Sequence, residues 1–261
     1  VNFNNAYYRL GMSGTPLARG DKRDMFIVAA LGGVIYHIPA KELIDAGWIS
    51  MPRIKFVRCF QDETKATNYT RAYAEKIVDN RARNFLLANL ARVAAKPALL
   101  FVKYKRHGLK LLKMLDGMGV KAEFMDGNCS QPQRDAMIKR LEWGDTEVII
   151  CTKVLQTGTD IPELAALVIG TAGASNIEAL QRIGRGMRIV VDPKTGEKTK
   201  VHVDVFEVYD TDTKKRNPMT GRLNQTRSGR WFEKHAAARW KSYSDLGYEV
   251  ELVEEVEDKT A

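Results

Sequence analysis

Cysteine, long apolar runs and metal-binding spacings are all scarce in this chain of 261 residues. It has three cysteines, an odd number, which lie far apart and follow no metal-ligand spacing, and its four histidines follow none either. This disfavours a disulfide framework or a zinc site and predicts a reduced, cytoplasmic protein. No apolar run approaches the roughly 20 residues that span a bilayer, and no signal peptide is recognisable, which disfavours the membrane and secreted classes.

Acidic charge is also in deficit. The chain carries 41 basic and 32 acidic residues, a formal net charge of +9, which favours a polyanionic partner such as nucleic acid over a merely basic surface. The charge is segregated near the C-terminus, where residues 214–241 hold nine basic residues and one acidic, and residues 245–261 seven acidic and one basic. With 44% hydrophobic residues, the chain is long enough for one large or two modest globular domains.

From Pro97 onward, short apolar runs alternate with longer amphipathic segments. The predicted strands are 98–102, 121–125, 147–151 and 166–170, and the predicted helices are 107–118, 131–143 and 177–183. Short, wholly apolar strands are typical of parallel sheets buried on both faces, so the pattern predicts an α/β fold whose parallel sheet is covered by helices on both faces. Ligands of such sheets bind beyond the carboxyl ends of the strands.

Further elements flank this unit. The sequence predicts helices within 24–35 and 40–51, a strand over 53–60 and a broken helix over 67–95. Residues 201–208 alternate apolar and polar side chains, which predicts an edge hairpin with 187–191. A C-terminal helical extension over 227–248 interleaves aromatic and basic residues; we expect its aromatic side chains to pack on the sheet and the basic residues on its other face to remain available for phosphate.

The segment Gln181–Arg188 packs three arginines around two glycines at the start of a predicted helix. Arginine is permanently charged and presents a planar fork of donors, while Gly184 and Gly186 allow a phosphate to approach the backbone closely. The segment therefore predicts a site for an anion with several oxygens, for which a nucleoside triphosphate is the natural candidate.

Three segments together carry a family resemblance. Ser13-Gly14-Thr15-Pro16, the run from Thr152 to Pro162, and Gln181–Arg188, which reads Q-x-x-G-R-x-x-R, resemble the third, fifth and sixth motifs of superfamily 2 helicases. The chain resembles the C-terminal RecA-like domain of these motors over about residues 7–191, and its last helix resembles that of phage and bacterial DNA helicases of the recombination-repair and type III restriction-like group. The resemblance implies a RecA-like sheet of the P-loop NTPase type.

The resemblance also implies roles around ATP and Mg²⁺. Arg188 would be the arginine finger and Arg185 a second ligand of the γ-phosphate. Gln181 would contact the nucleotide, while Gly158 and Asp160 would meet the ribose or couple the two sites.

Other positions would bind nucleic acid or transmit the state of the nucleotide. Thr152 would hold a nucleic-acid phosphate, and Ser13, Gly14 and Thr15 would couple nucleotide to nucleic acid. Gly127, Gln133 and Arg134 would contact the backbone of the tracked strand; the alternative is a turn glycine followed by a solvated helix face.

Departures from the family pattern refine these expectations. Thr157 stands where many relatives carry an arginine or glutamate, and Lys153 stands where RNA helicases of the DEAD type often carry aspartate, which favours DNA over RNA. The chain contains neither a G-x-x-x-x-G-K-[ST] loop nor a D-E-x-[DH] motif, so we expect it to be inactive alone and to work with an N-terminal RecA-like domain of the same protein.

The expected organisation has three parts. Residues 1–52 form the end of a first motor domain and a linker, 53–209 the second RecA-like domain, and 210–261 a basic helical extension with an acidic tail. The rival interpretation is a nucleic-acid-binding or adaptor module on a degenerate motor fold. A dinucleotide-binding oxidoreductase is disfavoured because no G-x-G-x-x-G follows a strand.

Overall fold

A computed structural model describes residues 7–13, 24–61, 66–152, 161, 164–173, 184, 189–191, 195–196, 198–200, 202–212, 215–216, 223–224 and 227–253. The helices are α1 Asp24–Leu31, α2 Ala40–Asp45, α3 Tyr69–Tyr73, α4 Arg81–Val93, α5 Lys105–Gly117, α6 Gln131–Trp143 and α7 Arg227–Asp245. The strands are β1 Met51–Gln61, β2 Ala98–Phe101, β3 Ala122–Met125, β4 Val148–Cys151, β5 Ala166–Ile169, β6 Val190–Val191, β7 Lys198–Lys200, β8 His202–Asp212, β9 Lys215–Arg216, β10 Leu223–Asn224 and β11 Glu249–Val253.

Seven strands form one sheet in the order β11-β1-β8-β5-β2-β4-β3, and every neighbouring pair in it is parallel. The strands β2, β4 and β5 are buried along their whole length. Alternate residues of the strands enter two hydrophobic clusters, one shared with α6 and α7 and the other with α4 and α5. Helices therefore cover both faces, which confirms the predicted α/β, RecA-like class.

Local signals in the sequence set the helix boundaries. The α6 helix begins with a capping box between Ser130 and Gln133 and ends at Gly144, whose φ is 80°. The predicted broken helix is present: α3 runs into a π-helical turn that ends near Asp79, and the side chain of Asn80 then accepts the Arg83 amide at 3.0 Å to start α4.

The predicted pairing of residues 201–208 with 187–191 is wrong. The β8 strand lies inside the large sheet, parallel to both β1 and β5, and the short hairpin that does form joins β6 to β7. The polar residues of β8 made it resemble an edge strand. In the structure those residues are paired, Asp204 with Arg53, Glu207 with Arg239 and Asp210 with Arg83, because charge neutralisation allows a carboxylate to lie in a buried strand.

The large sheet continues past residue 209, where the sequence predicted a domain boundary. Phe232 and Tyr243 of α7 are buried and Trp240 packs on the same core, as expected for its aromatic residues. The β11 strand then pairs with β1. The boundaries at 52 and 209 remain predictions, but α7 and β11 pack as parts of the sheet unit. Within the described ranges, no helix combines the length and apolarity that would let it cross a membrane.

Candidate functional site

The carboxyl ends of β3 and β4 lie side by side at one edge of the sheet. Their last residues, Met125 and Cys151, are in register, and the amide of Thr152 donates to the Met125 carbonyl at 3.3 Å. The half-buried Thr152 is thereby held next to the turn that contains Gly127. Two of the predicted nucleic-acid contacts, 25 positions apart in sequence, meet at the edge where parallel sheets bind ligands.

Asp126 is a buried carboxylate in this turn. It is 7% exposed and accepts from Lys105 Nζ at 2.7 Å and from the Asn128 amide at 3.0 Å. The hydrogen bond from Lys105, aided by that amide, holds the pKa of Asp126 below its usual value although burial opposes this. Because Lys105 opens α5, the ion pair ties α5 to the turn after β3 and fixes the surroundings of Gly127.

Gly127 is exposed, and its φ lies outside the left-handed region. A Cβ built there would meet no heavy atom within 4 Å among the described residues. Neither its backbone conformation nor its packing against the described residues therefore requires a glycine at this turn. Close approach of a ligand would use the space that a side chain would otherwise fill.

Gln133 and Arg134 occupy the first turn of α6. The Ser130 amide donates to Gln133 Oε1 at 2.8 Å, so Gln133 caps the helix while remaining exposed. Arg134 is half-buried, and its Nε is buried with no hydrogen-bond partner among the described residues. A buried donor without a partner costs stability, so an acceptor supplied from outside the domain would relieve that cost.

The segment that follows β5, residues 170–173, is anchored by buried side chains. Arg83 Nη1 donates to the Gly170 carbonyl at 3.0 Å, and Arg83 Nε and Nη2 donate to the Asp210 carboxylate at 2.8 and 3.1 Å. The two side chains of this pair are 0% and 2% exposed. A Cβ on Gly170 would lie 2.8 Å from the Phe101 carbonyl oxygen, so the packing requires glycine there.

A second buried arginine holds the far end of this segment. Arg239 of α7 donates through Nε to Glu207 at 2.8 Å and through Nη1 to the Gly173 carbonyl at 2.7 Å. The hydroxyl of Tyr243 donates to the other oxygen of Glu207 at 2.6 Å. The Arg239 guanidinium is therefore not among the basic groups of this helix that could bind phosphate, because a buried carboxylate neutralises its charge.

Aromatic and imidazole side chains complete the anchoring of Ala172. Its amide donates to the Tyr73 hydroxyl at 3.4 Å, and His235 Nδ1 lies 3.1 Å from its carbonyl, so that nitrogen carries the donated hydrogen. Burial raises the pKa of Tyr73 to about 12. The exposed Lys103 ammonium lies 4.9 Å from the centre of the Tyr73 ring and 5.3 Å from that of Tyr104. A cation on aromatic faces thus stands at the end of β2.

The part of the chain that forms most of this sheet matches a known protein family. The family described as "Helicase conserved C-terminal domain" matches residues 82–190, from α4 through β6. The matched range includes Thr152, Gly127, Gln133 and Arg134 as well as the whole Gln181–Arg188 motif. The chain contains a helicase C-terminal domain.

The relatives of this helicase C-terminal domain are longer proteins. It is 25% identical over 189 residues to the putative ATP-dependent helicase IRC3 of Saccharomyces cerevisiae, covering 69% of this chain and 27% of that protein. It is 27% identical over 191 residues to the DNA 3'-5' helicase XPB of Mycobacterium tuberculosis, covering 70% of this chain and 34% of that protein. ATP-dependent RNA helicases are also among the relatives.

A solved structure shares the fold. The crystal structure of T4 UvsW superposes with a TM-score of 0.60 at 18% identity, covering 79% of this chain and 42% of that one. The chain therefore spans roughly a quarter to two fifths of the length of these relatives. The prediction of a C-terminal RecA-like domain of the superfamily 2 helicases is confirmed, and the adaptor interpretation is not favoured.

The structure describes some of the predicted site residues and not others. It places Thr152, Gly127, Gln133 and Arg134 on one edge of the helicase domain, and it shows Ser13 as exposed and outside any helix or strand. The remaining predicted residues lie outside the described part of the chain: Gly14, Thr15, Gly158, Asp160, Gln181, Arg185 and Arg188.

Sequence reasoning missed the pairs that shape this edge. The Arg83–Asp210 and Arg239–Glu207 pairs join residues 127 and 32 positions apart. A single sequence offers little signal for them, because a lone arginine on a helix reads as a solvated side chain. The one available signal was the acidic residues inside β8, because a carboxylate in a central strand needs a basic partner.

Proposed function

We propose that the chain is the second motor domain of an ATP-dependent DNA helicase or translocase. The observation that carries this is the placement of Thr152 beside Gly127 at the carboxyl edge of a parallel sheet, inside a helicase C-terminal domain whose matched range also contains Q-x-x-G-R-x-x-R. Such motors bind the nucleic-acid backbone at this edge and complete the ATP site with arginines.

The nucleic-acid part of the proposal rests on the described edge. Thr152, the open turn at Gly127 and the first turn of α6 would receive backbone phosphates. The buried Nε of Arg134 has no acceptor among the described residues, and a phosphate oxygen would accept its hydrogen bond. The excess of nine positive charges supports a polyanionic ligand.

The nucleotide part rests on the motif and on the resemblance. Arg185 and Arg188, three positions apart, can face one phosphate if the segment is helical. ATP with Mg²⁺ would supply the phosphoryl group and its counter-charge. Arg188 would stabilise the charge that develops on transfer, Arg185 and Gln181 would orient the phosphates, and Gly158 and Asp160 would lie near the ribose.

The phosphate loop and the acidic magnesium motif would come from a first motor domain, to which we assign residues 1–52, including the coupling residues Ser13, Gly14 and Thr15. The α1 helix supports this. Its large apolar side chains are exposed, Met25 by 81% and Phe26 by 64%, as expected of a helix whose packing partner belongs to another domain. The chain alone would then be inactive.

DNA is preferred over RNA because Lys153 departs from the DEAD-type pattern and Thr157 from that of many relatives, and the name of one relative specifies DNA. A cytoplasmic location is part of the proposal and rests on the cysteines, which are few, odd in number and far apart in sequence.

The decisive experiment replaces Arg188 by alanine in the full-length protein. The matched control is Arg182→Ala, because Arg182 occupies a position of Q-x-x-G-R-x-x-R at which the motif allows any residue. If Arg188 is the arginine finger, kcat for ATP should fall by about 10³-fold or more while ATP binding is retained. Arg182→Ala should keep most of the turnover. Undiminished hydrolysis by Arg188→Ala would refute the assignment.

A further inference from the structure

The chain before Pro39 receives little support from the sheet unit. No residue of α1 is buried, and Ile35 and Tyr36, which follow that helix, are 88% and 77% exposed. No amide of residues 33–38 donates a hydrogen bond to another described residue. Burial and amide hydrogen bonds within the described chain therefore leave the conformation of residues 33–38 unfixed.

Residues 40–50 differ from this stretch because they pack on the sheet unit, and we name them the N-terminal clasp. Ile44 of α2 and Ile49 are partly buried against the hydrophobic cluster that α6 and α7 share with the sheet. Ser50, the last residue of the clasp, is fully buried. The clasp is therefore part of the sheet unit, although it precedes β1.

The C-terminal extension, which consists of α7 and β11, meets the clasp. Tyr248, just after α7, and Val250 of β11 are partly buried against the same cluster as the clasp. A Cβ built on Gly247 would lie 3.6 Å from Lys41 Cδ, so the stem of Lys41 lies over the turn between α7 and β11. The beginning and the end of the sheet unit thus contact each other at its β11 edge.

A pair of glycines stands where α1 ends. The Gly32 amide donates to the Val28 carbonyl at 2.8 Å, and the φ of Gly32 is 84°, the left-handed conformation that ends many helices. Gly33 follows, and a Cβ added there would meet no described atom within 4 Å. Hinges between domains are a few loop residues that absorb changes in φ and ψ. Two glycines followed by exposed residues suit that role.

We propose that the N-terminal clasp, held by the C-terminal extension, is the first element of the second motor domain, and that residues 32–39 are the pivot between the two motor domains. The inference rests on the proposed function for the existence of a first motor domain, whereas the packing of the clasp is a property of this chain. It limits the first domain's share of residues 1–52 to those before the pivot. It also gives α7 and β11 a task, since they fix one end of the pivot on the sheet.

The first test is amide hydrogen exchange in the full-length protein without nucleotide. The clasp contains protected amides, since Trp48 donates to the Leu43 carbonyl at 2.8 Å. Exchange of residues 42–50 should be at least about tenfold slower than that of residues 33–38 and should speed up at the same urea concentration as that of residues 246–253. Equal exchange in 33–38 and 42–50 overturns the proposal.

Matched substitutions test what holds the clasp. Ile44→Ala should raise exchange about tenfold both in the clasp and in residues 246–253, whereas Ile35→Ala, the same change at an exposed position, should alter neither. Val250→Ala should raise exchange in the clasp, and Val253→Ala, on the opposite face of β11, should leave the clasp near wild type. A rise confined to the mutated element, or an equal rise from Val253→Ala, overturns the link between clasp and extension.

The second test is ATP hydrolysis in the presence of a DNA oligonucleotide. Gly33→Pro restricts the pivot without removing a hydrogen bond within the described chain, and Gly33→Ala is the matched control because the site has room for a Cβ. Gly33→Pro should lower kcat by about tenfold and change KM as well, as hinge substitutions do, while Gly33→Ala should keep both near wild type. An unchanged kcat in Gly33→Pro overturns the pivot. A wild-type protein that hydrolyses no ATP refutes the proposed function instead, and the exchange experiments still decide the clasp.

Discussion

Replacement of Arg83 by methionine is expected to destabilise the domain by about 3 to 5 kcal/mol. Arg83 is fully buried and makes three hydrogen bonds, two to Asp210 and one to the Gly170 carbonyl. Methionine fills a similar volume without charge. It leaves the Asp210 carboxylate buried without its cation and the carbonyl of Gly170 without this donor.

The expected magnitude follows from two opposing terms. Unit charges about 3 Å apart attract by about 5.5 kcal/mol at an effective dielectric constant of about 20. Removing both ions from water costs several kcal/mol each, so the intact pair contributes little net stability. Loss of one partner forfeits the attraction but keeps the other ion's desolvation cost. Asp210→Asn in the Arg83→Met background should therefore recover part of the loss.

The assay is urea unfolding of the four species of this double-mutant cycle, followed by tryptophan fluorescence, with equal m-values as the test of two-state behaviour. The control is Arg71→Met, which breaks an exposed pair with Glu75 of the same 2.8 Å length and should cost under about 1 kcal/mol. If the Arg83 and Asp210 losses simply add, with coupling below about 0.5 kcal/mol, the account of this pair is refuted.

Three further predictions concern single sites. Arg134→Ala should weaken nucleic-acid binding and reduce the slope of log K against log salt by about 1. Lys139→Ala, on the exposed face of α6, should leave both the affinity and the slope unchanged. Equal slopes for the two variants would contradict the phosphate contact of Arg134. Burial lowers the pKa of His107 to about 3, from about 6.5 in the unfolded chain. Between these values only the unfolded chain takes up the proton, so stability falls as pH falls. From pH 7 to pH 5 the free energy of unfolding should fall by about 2 kcal/mol because of this residue, and His107→Gln should not show that fall. Gly170→Ala should lower the free energy of unfolding by about 1 to 3 kcal/mol, because the added Cβ meets the Phe101 carbonyl of β2. Gly127→Ala should change the free energy of unfolding by under about 0.5 kcal/mol and yet lower nucleic-acid affinity. A large loss of stability in Gly127→Ala would contradict the open turn.

Much of the fold could be predicted from the pattern of residues. The fully apolar runs at 98–101, 148–151 and 166–169 are strands because both faces of a parallel sheet are buried. The start of α6 depends only on near neighbours, since its capping box lies within the four residues from Ser130 to Gln133. The arginine motif likewise lies within eight residues, so the family could be recognised without knowledge of distant contacts.

What local sequence could not supply was the order of the strands and the partners of buried charges. The β8 strand alternates in a way that suits an edge, and only the sheet shows that α4 and α7 bring Arg83 and Arg239 to its carboxylates. In the same way, the sequence of α7 does not show that Arg239 is buried against Glu207; only the packing of α7 on the sheet does. The sequence by itself determined periodicities, caps and short motifs, because these depend on neighbours along the chain. Strand order and the burial of arginine depend on contacts between residues tens of positions apart, and those exist only in the folded domain.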